Sequence, residues 1–117
     1  MTVRQPRAIA PKFVNIWTAN PALEYELAQE KASALGRLGR ALEAALAALR
    51  EFDAGAAEPN AETRRALVAQ AGYALWMFVV QREALGLRDT RQLMRDYRVP
   101  VEVQARMGMM PASQRAG

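Results

Sequence analysis

Neither cysteine nor histidine occurs anywhere in this 117-residue chain. Their absence excludes disulfides, thiolate or imidazole metal sites, Cys and Ser–His nucleophile systems, and the usual near-neutral proton switch. Lysine is almost missing: Lys12 and Lys31 stand against fourteen arginines, a bias that codon usage in a GC-rich genome would produce. Aromatic residues are few, with three tyrosines, three phenylalanines and two tryptophans. The longest apolar run, Tyr73 to Val80, falls well short of the roughly 18 residues needed to span a bilayer. No segment joins a basic start to the continuous apolar core of a signal peptide. The expectation is a cytoplasmic protein with no membrane contact, no metal and no cofactor.

What is present favours helix. Half of the residues are apolar and a quarter charged, within the normal range for a soluble domain. Alanine, leucine, arginine and glutamate, the main constituents, are all good helix formers. At this length one modest core is expected. The net charge of +4 is uneven. Residues 1–20 carry +3, residues 21–55 carry −2, residues 56–86 are neutral, and residues 87–117 carry +3. Basic character thus sits at the two ends without forming a dense block.

Residues 1–19 contain Pro6 and Pro11 and lack helical periodicity, yet Ile9, Phe13, Val14, Ile16 and Trp17 make them too apolar for a plain tail. They read as an arm laid across this domain or a neighbouring copy. Asn20-Pro21 is a strong helix start, with a capping side chain followed by a proline whose missing N–H costs nothing there. Leu35, Leu38, Leu42, Ala45, Leu49 and Phe52 then form one helical stripe reaching about Asp53. Ala28, Ala32, Gly36 and Gly39 form a smooth strip on the same helix, which suits close approach by another helix. After the connector DAGAAEP, Asn60 can cap a second helix from about Ala61 to Leu85, closed by Gly86. Asp89 and Gln92 make a capping box for a short third helix to Tyr97. Pro100 separates it from a fourth, expected to reach about Met107 and end at Gly108. Residues 109–117 read as a tail, leaving 20–108 as the helical domain.

The run YALWMFVV is rich in strand-favouring types. Its flanks are helical in pattern, however, and no second strand exists to pair its backbone groups. It is therefore read as a helix that is apolar around its circumference for two turns, which one hairpin partner cannot cover. The expected architecture is all-α: an antiparallel hairpin of two long helices plus two short C-terminal helices, completed by a second copy into a dimeric four-helix bundle. Trp76, Phe78, Val79 and Val80, with Trp17 of the arm, are the candidate dimer or arm contacts.

The segments LEYELAQEKASALGRLGRALEAALAAL (23–49), LWMFVVQREALGLRD (75–89) and DYRVPVEVQARMG (96–108) resemble a family of small bacterial helical proteins classed as a domain of unknown function. The resemblance implies a compact helical protein of this length. It brings no catalytic residues and no ligand.

Three groups of residues are candidates for chemistry. Arg82 and Arg88 flank the glycine turn after the apolar run and could form an anion or interaction site, since the planar guanidinium fork suits bidentate contacts. The favoured reading of them is structural, a clamp that ties the short helices to the hairpin through Glu30, Asp89 or Asp96. Glu26 and Glu30 lie four apart and could hold a divalent ion, but the second helix offers no matching carboxylate pair, so a solvated face is expected. The segment 88–108 resembles a helix-turn-helix, with Arg91, Arg95, Arg98 and Arg106 as candidate nucleic-acid contacts. Arg98 stands where such a turn usually has glycine, and Gln104 where the recognition helix usually has an aliphatic core residue. Leu93, Met94, Tyr97, Val99, Val103 and Met107 are then better read as a cap on the bundle. The functional expectation is a non-catalytic, homodimeric protein-interaction or scaffold module with a further protein partner. The alternative is a small DNA- or RNA-binding regulator acting through residues 88–108.

Overall fold

The computed structural model describes residues 20–55 and 60–109. The arm expected over 1–19, with Trp17, and most of the expected tail lie outside the described residues. Four helices are present among those residues, and no strand: α1 (Pro21–Gly55), α2 (Ala61–Ala84), α3 (Thr90–Asp96) and α4 (Val101–Ala105). The apolar run lies wholly within α2. None of the helices is long and apolar enough to cross a membrane.

The chain divides into two units, with the boundary inside α1 between Ala34 and Leu35. In the first unit, residues 20–34 are helical after Asn20, whose Oδ1 accepts the Leu23 N–H at 3.1 Å. Only Leu23 and Ala34 are half-buried in this stretch, and Glu24, Glu26, Glu30 and Lys31 are all exposed.

The second unit holds the core. Leu42, Leu46 and Leu49 of α1 meet Val68, Ala71, Leu75, Phe78 and Val79 of α2, and Leu93, Val99 and Val103 complete the cluster from the C-terminal segment. Asp53 near the end of α1 contacts Arg64 near the start of α2, while Gly39 lies against Phe78. These two pairings fix an antiparallel hairpin. Leu42, Leu46, Leu49, Leu75 and Val103 are the largest fully buried side chains, each contributing roughly 1.5–3 kcal/mol on leaving water. Met94, Tyr97 and Met107 pack against this cluster from outside, so the capping role expected of the C-terminal segment is what the structure shows.

Of the two glycines in the smooth strip, Gly39 has a packing reason: a methyl there would sit 3.3 Å from both the Phe78 ring and the Tyr97 hydroxyl. Gly36 has none from another helix, since its nearest neighbour is the guanidinium of Arg40 on its own helix.

Local chemistry sets the helix ends. Asn60 Oδ1 accepts the Thr63 N–H at 3.0 Å and opens α2. Gly86, at φ +86°, closes it: the Leu87 N–H reaches the Arg82 carbonyl and the Gly86 N–H the Glu83 carbonyl, the paired bonds of a Schellman motif. Asp89 Oδ1 accepts the Gln92 N–H at 3.3 Å and opens α3. The expected capping box is only half made, because the Gln92 side chain turns forward to Asp96 and Arg95. The fourth helix is shorter than expected and ends at Ala105.

The same Schellman bonds close α3, from Val99 N–H to the Met94 carbonyl and Arg98 N–H to the Arg95 carbonyl. The left-handed residue here is not glycine but Arg98, at φ +52°. Left-handed backbone costs a non-glycine residue about 1–2 kcal/mol, and the greater freedom of glycine in the unfolded chain returns part of that. Arg98→Gly is therefore expected to raise stability by about 0.5–1 kcal/mol, read as a higher midpoint in urea with an unchanged slope.

Candidate functional site

Arginines dominate the polar surface of the second unit, and the structure sorts them by what they already hold. Arg64 is the most committed. Its Nε and Nη2 form a fork on the two carboxylate oxygens of Asp53 at 2.8 and 2.9 Å, and its Nη1 donates to Glu102. One side chain of α2 thereby ties the end of α1 to α4. The hydrogen bonds from Arg64 hold the Asp53 carboxyl below its ordinary range, and the same bonds raise Arg64. This clasp is the role the sequence suggested for Arg82 or Arg88. Its only trace in the sequence is an acid and a base on either side of the short connector.

Arg50 of α1 is committed in another way, donating from Nη2 to the Tyr97 carbonyl at 3.1 Å. It thus satisfies a carbonyl at the C-terminal end of α3, where a positive charge also complements the helix dipole. Arg82 lies over the Phe78 ring, 5.7 Å from its centroid. Tyr97 meets the same ring edge-on at 5.6 Å. Burial pushes the Tyr97 phenol above its ordinary value, and the negative charge of Glu43 adds to that.

Three other arginines converge on a cleft of about 810 Å³. Arg88 comes from the turn after α2, and Arg91 and Arg95 lie one helical turn apart on α3. Met94 and Val99 supply apolar walls, and Gln104 closes one side while its Nε2 donates to the Val99 carbonyl at 3.0 Å. Of the two residues expected to form an anion site together, only Arg88 lines this cleft; Arg82 does not.

The four candidate nucleic-acid contacts are also separated. Arg91 and Arg95 line the large cleft, whereas Arg98 lies on another, of about 340 Å³, beside the acids Glu43 and Asp96. Arg106 lines a third, of about 400 Å³, with Arg64, Arg65 and Glu102. The Nε of Arg106 is buried with no hydrogen-bond partner among the described residues.

The candidate contact residues on α2 divide between two faces. Phe78 and Val79 are only 5 % and 7 % exposed and belong to the core of their own chain, so they present nothing to a partner. Tyr73, Trp76, Met77 and Val80 point the other way. Their spacing of three, one and three residues makes a single stripe, with Tyr73 and Trp76 in ring contact at 6.2 Å. Trp76 is half-buried, whereas Met77 is 36 % and Val80 47 % exposed. Among the described residues the helix is therefore covered on one side by the core of its own chain, and Met77 and Val80 on its other side are exposed.

No curated protein and no solved structure matches the chain. A family model does match, over residues 9–115, and it covers all four helices: the chain belongs to DUF6665, a family of unknown function.

Proposed function

We propose that the protein is a non-catalytic interaction module that self-associates through the outer stripe of α2, two hairpins making a four-helix bundle. The observation that carries this reading is the stripe itself: Tyr73, Trp76, Met77 and Val80 side by side on a well-packed helix, with Met77 and Val80 in water. Contiguous apolar surface with polar neighbours such as Gln70 and Glu83 marks interaction sites on soluble proteins. A second copy is the economical occupant, because a two-fold contact sets the stripe against itself and needs no separate complementary surface. The spacing of three and four residues is also what helices use to interlock at a shallow crossing angle. The lack of cysteine and histidine, and the commitment of Arg64, Asp53 and Glu102 to one another, favour a binding role over catalysis.

Light scattering at tens of micromolar is expected to give a dimer. Val80→Glu, on the outer face, is expected to give a folded monomer with unchanged helical circular dichroism, since a charge buried in the contact without a partner is costly. A clean monomer for the unaltered protein at that concentration would overturn the proposal.

A further inference from the structure

We propose that the cleft formed by Arg88, α3 and Gln104 binds a small organic polyphosphate, such as a nucleoside triphosphate. Its phosphates are held by Arg88, Arg91 and Arg95, and its apolar part lies against the half-buried Met94. This goes beyond self-association and uses a different surface, since none of the α2 stripe residues lines the cleft.

The first support is what these arginines do not hold. Arg64 is held by two carboxylates, Arg50 donates its Nη2 to a carbonyl, and Arg82 sits on a ring. Among the described residues, Arg88 and Arg91 have neither a hydrogen bond nor an ion pair. Arg95 uses one Nη2 on Gln92 and keeps the rest of its fork. Nearby carboxylates are taken: Asp89 caps α3, and Asp96 accepts from Gln92. Three guanidinium groups within eight residues thus face a cleft with one acid, Asp89, on its wall. The fold gains nothing from that concentration of like charge, and a compact multivalent anion would relieve it.

The second support is the shape and lining. A volume of about 810 Å³ lies within the roughly 300–1,000 Å³ of small-molecule sites. Six of the cleft's eight lining residues are charged or polar, and of the other two Met94 is half-buried and Val99 buried, a lining that suits a phosphate-rich ligand. Guanidinium forks bind phosphate oxygens in pairs, which makes arginine better suited than lysine to this task. The bound species is small rather than a nucleic-acid strand because the basic residues do not continue into a track. Arg98 and Arg106 open onto separate clefts, and Glu43, Asp96 and Glu102 line those clefts as well.

Isothermal titration of the full chain at physiological salt, with ATP and with inorganic tripolyphosphate, tests the proposal. The expected result is one ATP per chain, with tripolyphosphate weaker because it leaves Met94 uncovered. Arg91→Ala and Arg95→Ala are each expected to weaken ATP binding about tenfold or more, while leaving the melting temperature of the free protein unchanged, since both side chains are exposed. Three results would overturn it: no heat from either anion at millimolar concentration, ATP binding indifferent to both substitutions, or binding of a single-stranded oligonucleotide where ATP does not bind. Equal affinity for ATP and tripolyphosphate would remove the apolar half of the assignment.

Discussion

Gly72→Ala is expected to lower the unfolding free energy by about 1–3 kcal/mol, against the usual direction of a glycine-to-alanine change inside a helix. On an exposed helix that change gains roughly 0.5–1 kcal/mol, because alanine gives up less backbone freedom on folding. At Gly72 the added methyl would sit 2.8 Å from Arg106 Cβ and 3.0 Å from its carbonyl carbon and oxygen. None of these is the free end of a flexible side chain. The chain just past α4 would have to move off α2, loosening Val103 in the core and pulling Glu102 away from Arg64. Gly36→Ala is the matched control. Its methyl would meet only the Arg40 guanidinium, at 3.3 Å, and that group can swing away. Gly36→Ala is therefore expected to stabilise by about 0.5–1 kcal/mol. Opposite signs in parallel urea titrations would confirm that Gly72 is a contact surface; a stabilised Gly72→Ala would refute it.

The contrast between these two glycines shows how far the sequence can be read. Asn20, Asn60 and Asp89 were legible as helix starts, and Gly86 as a stop, because capping joins residues only a few positions apart. The helical state of YALWMFVV was legible too, since its flanks and the lack of a pairing strand left no other way to satisfy its backbone. Which residues a third element would meet on the other two was not. Leu46 is buried, yet it fell outside the stripe read from alternating threes and fours. A helix covered by both α2 and the C-terminal segment needs a wider apolar face than a simple hairpin does. The Arg64 clasp joins α1, α2 and α4 at one point, and no spacing along the chain announces it.

The site was legible in part and for similar reasons. Arg82 and Arg88 looked like neighbours because six positions separate them, but the Schellman turn at Gly86 redirects the chain between them. Arg82 stays on the helix beside Phe78, and Arg88 moves to the α3 side. Arg91 and Arg95 stood in the sequence only as members of a set of four, and the structure keeps those two on one cleft while Arg98 and Arg106 line others. Arg98 was noted as standing where glycine is expected, and its positive φ is the structural counterpart of that oddity. Whether a backbone is left-handed depends on the local chain and can be anticipated; which arginines share a cleft depends on the packing of whole helices.

The sharpest test of that packing lies in the apolar run. Phe78→Ala is expected to cost about 3–5 kcal/mol. The ring is 5 % exposed, fills the space over Gly39, meets Tyr97 edge-on and carries Arg82 on its face. Gly39 has no side chain to expand into the void, and Tyr97 would lose its aromatic partner, so little relaxation is available. Against a typical total of 5–15 kcal/mol, the variant would be marginal at best. Val80→Ala, two positions on, is expected to change the intrinsic stability of the chain by no more than about 0.5 kcal/mol, because its side chain faces outward and is 47 % exposed. Protein concentration separates the two effects. A loss of core packing is the same at every concentration, whereas a loss at a self-association surface grows as the dimer is populated. Thermal melts at low and high protein concentration should therefore show Phe78→Ala destabilised at both. Val80→Ala should match the unaltered protein at low concentration and fall below it at high. If Val80→Ala stays indistinguishable at every concentration, the outer stripe is not an interface between copies; if Phe78→Ala is harmless, the core is not packed as described.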